Sequence, residues 1–122
     1  MSKYSFYIGH LRFIANRTER INDDVGLMMD ILNSIASQIE DRDKFTLKAN
    51  ELRAGGRALA GLAGFLQKQI LPEVVSAQND VGEKQVRWVI DTSMALTSKI
   101  LMHAEITNDK DELTLALPEE PN

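Results

Sequence analysis

Cysteine is absent from the 122 residues of this chain, and its absence removes several kinds of chemistry at once. A disulfide, a thiolate nucleophile and a cysteine-ligated zinc site are all excluded. The lack of disulfides fits a reducing compartment. The first ten residues, MSKYSFYIGH, also lack the basic start and apolar core of a secretory signal. We therefore expect a cytoplasmic protein.

Long apolar runs and an excess of positive charge are also missing. The longest nearly uncharged run, residues 58–67, is far shorter than the roughly 20 apolar residues that span a bilayer, so we expect no membrane insertion. The chain carries 14 Lys and Arg against 18 Asp and Glu, a formal net charge of −4. Because non-specific nucleic-acid affinity comes largely from cations that neutralise phosphates, this balance disfavours nucleic acid without excluding a local basic patch.

Histidine is scarce, and no catalytic pattern is visible. His10 and His103 are the only histidines, whereas a zinc site needs three or four suitably spaced ligands. The sequence has no serine nucleophile elbow and no phosphate-binding glycine loop. We interpret both histidines as core or interface residues. The sequence therefore predicts a protein that is not an enzyme, with no catalytic residue, metal ligand or cofactor.

Apolar residues repeat at alternating steps of three and four along the first 39 residues. Ten of the eleven positions on this repeat between Tyr4 and Ile39 are apolar or aromatic. A heptad pattern of this kind predicts one long helix of the coiled-coil type, about 54 Å in length at 1.5 Å per residue. Residues 4–14 are crowded with aromatic side chains and leave a strand open as an alternative for that segment.

Two further helical segments follow a charged turn at residues 40–44. The second repeat runs from Phe45 to Ile70, and Pro72 then either kinks or splits this helix. The third runs from about residue 80 to Ile106. The sequence thus predicts an all-α, elongated antiparallel bundle of three long helices over residues 1–107. An extended or flexible acidic tail over 108–122 follows, in which residues 113–117 (LTLAL) form a strand or an extended segment.

Four glycines fall within ten residues of the second predicted helix, where each costs about 1 kcal/mol relative to alanine. Gly56, Ala60 and Gly64 stand four residues apart and share one face. A face without side chains lets another helix approach closely. We interpret the three residues as a close-packing stripe within the bundle, in a symmetric dimer or, as a third reading, in a ligand groove.

Large apolar side chains between residues 4 and 14 point in every direction around a helix. One bundle covers only part of that circumference, so the remainder predicts a contact surface. We assign Phe6, Phe13 and Trp88 to this surface, because aromatic residues are enriched among interface anchors. The competing cover is the segment 113–117.

The sequence thus favours a small non-enzymatic protein–protein interaction module, such as an adaptor, a partner-specific chaperone or a surface-blocking inhibitor. We expect it to self-associate as a homodimer. The alternative is a dimeric regulator that binds nucleic acid through arginine patches; these arginines are Arg12, Arg17, Arg20, Arg53 and Arg57. Few aromatic residues lie near the arginines to stack with bases, which weakens this alternative.

Overall fold

The computed structural model describes residues 3–106 and 111–121. In chain order its elements are α1 (Ser5–Arg17), α2 (Asp23–Gln38), β1 (Lys44–Leu47), α3 (Leu52–Phe65), α4 (Leu71–Ser76), α5 (Asp80–Ile106) and β2 (Leu113–Ala116). Helices make up 73% of the structure. The all-α class is therefore confirmed in its broad form. A small two-stranded sheet joins the helices, and the arrangement is not clearly a three-helix bundle.

The single long helix predicted for residues 4–39 is wrong, because the chain forms two helices there. Thr18 leaves the helical conformation with an extended backbone, and Asn22 begins α2 by accepting a hydrogen bond from the Val25 N–H at 2.9 Å. Asp23 and Asp24 occupy the first turn of α2, where negative charge is favourable beside the free N–H groups. The short connection places α1 and α2 side by side, and residues 4–14 are helical rather than extended.

The second predicted helix begins later than expected. Phe45 lies in β1 and not in a helix, which corrects the start of the second repeat. From Leu52 the chain stays helical to Ser76, passing from α3 to α4 through a single π-helical turn, Leu66–Ile70. Pro72 sits in the first turn of α4, where a missing N–H is best tolerated. The proline thus follows a local change of helical pitch rather than a break.

The third predicted helix is confirmed as α5. Its N-terminus is capped by Asn79, whose side-chain oxygen accepts the Gly82 N–H at 2.9 Å. Asn79 is therefore the N-cap residue, immediately before Asp80, the first residue of α5. Thr97 on α5 donates a hydrogen bond to the backbone carbonyl of Gly56 at 3.3 Å and to that of Ser93 at 2.8 Å. Its hydroxyl therefore links α5 directly to the backbone of α3.

The segment 113–117 contains a strand, which settles one of the two forms that the sequence left open. β2 pairs antiparallel with β1, with Phe45 opposite Leu115 and Thr46 opposite Thr114. The side-chain amide of Gln38 bonds both the N–H and the carbonyl of Thr46, at 2.8 and 3.1 Å. The Gln38 side chain thus satisfies backbone groups at an exposed edge of β1, where unpaired groups would favour pairing with another strand. The predicted boundary between helical domain and tail, at 107–108, lies outside the described residues.

One hydrophobic core draws on every long helix and on the sheet. Its largest fully buried side chains are Tyr7, Phe45, Leu11, Ile31, Leu32, Ile35, Ile39, Leu47, Leu52, Leu59, Leu62 and Leu66. Tyr7 is the one phenol in this set, and its hydroxyl pairs with the Ser93 hydroxyl at 2.9 Å. Burial raises the pKa of Tyr7 well above its usual range, so the phenol stays protonated and its hydrogen bond persists.

Two adjacent glycines of α3 provide close approach in two directions. A Cβ atom added at Gly56 would lie 2.6 Å from Leu101 Cδ2 on α5, and one at Gly55 would lie 2.9 Å from Leu47 Cδ1 on β1. Ala60 is half-buried. At Gly64 an added Cβ would meet nothing within 4 Å. The predicted stripe is therefore corrected at Gly64, which faces open space, while Gly55 joins Gly56 as a packing residue.

This contrast predicts opposite effects of one substitution at two positions of the same helix. Gly64→Ala should raise the free energy of unfolding by about 0.5–1 kcal/mol, because alanine costs the helix less entropy. Gly56→Ala should lower it by about 1–3 kcal/mol, because the new methyl group overpacks against Leu101. Urea denaturation followed by circular dichroism measures both values. Equal stabilisation by the two variants would contradict the close contact at Gly56.

Candidate functional site

An open groove of about 380 Å³ lies between α1 and the end of α3. We call it the aromatic groove and define it by the residues that line it: Ser5, Phe6, Gly9, His10, Phe13, Phe65 and Ile70. Helical spacing places the α1 members together, because Phe6, His10 and Phe13 follow one another at steps of four and three. The opposite wall comes from the last residue of α3 and the π-helical turn. Its volume falls in the range of ligand pockets.

The aromatic groove unites two of the three residues that the sequence assigned to a contact surface. Phe6 and Phe13 both line it, and Phe13 is 44% exposed although it belongs to an ordered helix. The predicted cover by the segment 113–117 is not what the structure shows, because β2 pairs with β1 and does not line this groove. The groove is thus open on the described surface.

The third assigned residue, Trp88, lies elsewhere. Its half-buried ring packs edge-to-face on Tyr7, with 5.6 Å between the ring centroids. It therefore supports the core where α1 meets α5. Phe65 and Ile70, in contrast, line the groove without having been singled out from the sequence. Ile70 was only the last position of the second apolar repeat and Phe65 lies outside that repeat, so the spacing gave no reason to single out either residue.

His10 is the one titratable side chain that lines the aromatic groove. Its ring meets that of Phe6 edge-on, at 4.6 Å between centroids. Burial lowers the pKa of His10 below its usual value, because the protonated imidazole loses hydration. At neutral pH the ring is uncharged, so it adds to the apolar character of the groove while keeping nitrogen atoms that can form hydrogen bonds.

One end of the aromatic groove carries a cation. The guanidinium carbon of Arg17 lies 5.0 Å from the centre of the Phe13 ring, and that ring is 6.4 Å from the Phe65 ring. Arg17 is also one helical turn beyond Phe13, so a positive charge lies at the end of the α1 face that lines the groove.

The other predicted arginines divide into two groups. Arg12 forms a salt bridge with Glu40, and Arg20 forms one with Asp30 at 2.7 Å. Arg53 and Arg57 are exposed on α3, and no carboxylate of the described residues pairs with either. The five arginines therefore do not form one patch, since two of them are already neutralised by neighbouring acids.

A second, more polar cleft adjoins the first turn of α1. Lys3, Gln85, Glu120 and Pro121 line it together with Ser5 and Phe6, and its volume is about 540 Å³. Glu120 Oε1 accepts the Phe6 N–H at 3.0 Å, while Glu120 Oε2 is buried with no partner among the described residues. A helix leaves its first N–H groups unpaired, so this carboxylate from the C-terminal segment acts as the cap that α1 otherwise lacks.

The C-terminal segment is held to the same region by two further hydrogen bonds. The Tyr4 hydroxyl donates to the Leu117 carbonyl at 3.2 Å, and the Leu117 N–H donates to the Asp43 carbonyl at 2.7 Å. Residues 117–120 thus tie the start of α1 to the sheet, which fixes one end of the aromatic groove.

The described residues contain no group of three or more His, Asp and Glu side chains that could hold a metal ion. No helix among them is long and apolar enough to cross a membrane. His103 is half-buried on α5 and does not line the groove, and its buried Nε2 has no hydrogen-bond partner among the described residues.

No protein-family model, no curated protein and no solved structure significantly matches this chain.

The lowered pKa of His10 predicts how stability changes with pH. The unfolded chain takes up a proton near the ordinary histidine value of about 6.5, whereas the folded protein resists protonation at His10 until a lower pH. The free energy of unfolding should therefore fall as the pH drops from about 7 to 5. His10→Gln should flatten this decline. Urea titrations at several pH values test this expectation, and an unchanged slope in His10→Gln would show that the groove hydrates His10.

Glu120 generates a second prediction. Glu120→Ala should lower the free energy of unfolding by about 1 kcal/mol, the usual effect of losing a helix cap. Glu120→Gln should lose less, because its amide oxygen still accepts the Phe6 N–H. Burial raises the pKa of Glu120, with the Phe6 and Tyr7 N–H groups opposing it. Its contribution should thus decline as the pH rises through that raised value, and Glu120→Gln should lack the decline. Equal losses in both variants would exclude the capping role.

Proposed function

We propose that this protein is a non-enzymatic protein–protein interaction module and that the aromatic groove is its contact surface. One observation carries the proposal: Phe13 is 44% exposed in a groove whose other large side chains are also aromatic or aliphatic. When a partner covers an aromatic ring that is exposed in a concave apolar surface, the free energy of the system falls because apolar area leaves water.

The shape of the site supports a macromolecular partner. The groove is open along one side and lies between two ordered helices, which is the arrangement that accepts the apolar face of another helix. Its single titratable lining residue, His10, is uncharged at neutral pH. A partner therefore meets little desolvation cost on the floor of the groove.

Self-association remains part of the proposal as one form that the contact can take. A homodimer formed across a two-fold axis would place the same surface of each copy together. Such a dimer would bring the same basic walls of both copies together, because α1, α3 and the π-helical turn carry five Lys and Arg and no Asp or Glu, and this disfavours it. We therefore favour a different protein as the partner of the aromatic groove.

Binding of nucleic acid is the second candidate function. Arg17, Arg53 and Arg57 favour it, because no carboxylate of the described chain pairs with any of them. The salt bridges of Arg12 and Arg20 count against it, since they reduce the cations available for phosphates.

Site-specific photocrosslinking in the native host tests the proposed function. A benzophenone amino acid placed at Phe13 should yield one dominant covalent adduct with a partner protein. The same group at Ile21, which is 71% exposed outside the groove, serves as the control and should yield none. Adding Gly9→Leu should abolish the adduct at Phe13, because the new side chain fills the groove where an added Cβ meets nothing within 4 Å.

The purified protein alone completes the experiment. An adduct of twice the chain mass at Phe13 would assign the groove to self-association. Equal adducts from Phe13 and Ile21, or an adduct that survives Gly9→Leu, would remove the groove as the contact surface.

A further inference from the structure

The two walls of the aromatic groove are basic in an acidic protein. α1, α3 and the π-helical turn have 13, 14 and 5 residues. Together they hold five of the chain's 14 Lys and Arg residues and none of its 18 Asp and Glu residues. The net charge of −4 is thus distributed unevenly, with the carboxylates lying outside these segments.

Three of these cations lie on the segments that form the walls and have no carboxylate partner among the described residues. Arg17 follows Phe13 by one turn of α1, and Lys68 follows Phe65 by three residues of the π-helical turn. Arg57 precedes Phe65 by two turns and is exposed on the same side of α3 as Gly61 and Gly64. The salt bridges among described residues involve none of the three. We call Arg17, Arg57 and Lys68 the basic rim.

The backbone beside the groove is also unusually bare. Added Cβ atoms at Gly9, Gly61 and Gly64 would meet nothing within 4 Å. Gly9 lines the α1 wall, and the other two lie on α3 before Phe65. The backbone of a bound polypeptide can therefore lie close to both helices, which favours an elongated polypeptide segment over a single small molecule.

We propose that the occupant of the aromatic groove is an acidic amphipathic helix of a partner protein. Its apolar side chains lie against Phe6, Phe13 and Phe65, and its flanking carboxylates pair with the basic rim. This inference rests on the proposed function and adds the chemical class of the partner. The charge complementarity is its main support, because unpaired cations beside an apolar groove steer and orient an acidic ligand.

Synthetic peptides provide the test. Two 16-residue helical peptides carry leucine at positions one, four, eight and eleven, with alanine spacers, and their flanking positions are glutamate in one peptide and lysine in the other. Fluorescence anisotropy with the purified protein should show about tenfold tighter binding of the glutamate peptide at 50 mM salt, since several exposed ion pairs add modest free energies. The preference should shrink at 300 mM salt because the ions screen these pairs.

Matched charge-reversal variants separate the basic rim from net charge. Arg17→Glu combined with Lys68→Glu should remove or invert the preference for the glutamate peptide. Lys84→Glu combined with Lys99→Glu changes the net charge equally at exposed positions of α5 and should preserve it. Gly9→Leu should weaken both peptides alike, because it fills the apolar part of the site.

The outcomes that overturn the inference are distinct from failure of the proposed function. Equal affinity for the two peptides, or no binding of either up to 1 mM, rejects an acidic helix even where crosslinking at Phe13 still finds a partner. Tighter binding of a 20-nucleotide oligo-dT than of the glutamate peptide would assign the basic rim to nucleic acid instead. Self-association that saturates the groove at the concentrations used would assign it to a second copy of the chain.

Discussion

The contact between α3 and α5 at Gly56 is the constraint on which the rest of this structure depends. Because Gly56 has no side chain, Leu101 packs against the backbone of α3, and the Thr97 hydroxyl reaches the Gly56 carbonyl. Gly55, one residue earlier, opens a second side of α3 to Leu47 of the sheet. The helix is thereby held between α5 and β1. Its C-terminal end, with Phe65, then lies beside Phe13 of α1 and forms the second wall of the aromatic groove.

The sequence predicted the helical class, the extent of α5 and the turn after Ile39, because each depends on local periodicity. It misled at residues 18–22, where Thr18 and Ile21 continue the spacing of three and four while Ile21 is 71% exposed in a connection. The capping chemistry of Asn22, Asp23 and Asp24 was the stronger local signal. The sheet lay beyond such reasoning, because Phe45 pairs with Leu115 seventy residues away. The sequence indicated one wall of the aromatic groove through the excess of aromatic residues in α1. The other wall arises only from tertiary packing.

Charge distribution connects the fold with the candidate site. The carboxylates of this acidic chain lie in α2, α4, α5, the connections and the C-terminal segment, and Glu40 and Asp30 each bind one arginine. Glu120 shows a different use of the same charge, since it caps the first turn of α1 beside the groove. The cations that no described acid neutralises then remain beside an apolar surface. Net charge alone argues against an anionic partner, but the local field at the groove is set by the nearest charges, because distant ones are screened.

Five of the seven glycines fall into two groups, according to whether an added Cβ would meet a neighbouring atom. Gly55 and Gly56 are explained by contacts within the protein, and the helix tolerates them because larger side chains would separate α3 from its neighbours. Gly9, Gly61 and Gly64 have no such reason, since nothing lies within 4 Å of an added Cβ. Proteins do retain residues that are less than optimal for stability, and this accounts for an isolated glycine. It accounts less well for three such glycines on the two helices that form one groove. A bare helical surface costs the folded chain stability and benefits only a molecule that approaches it, so these glycines point to the same contact surface as the exposed Phe13 ring.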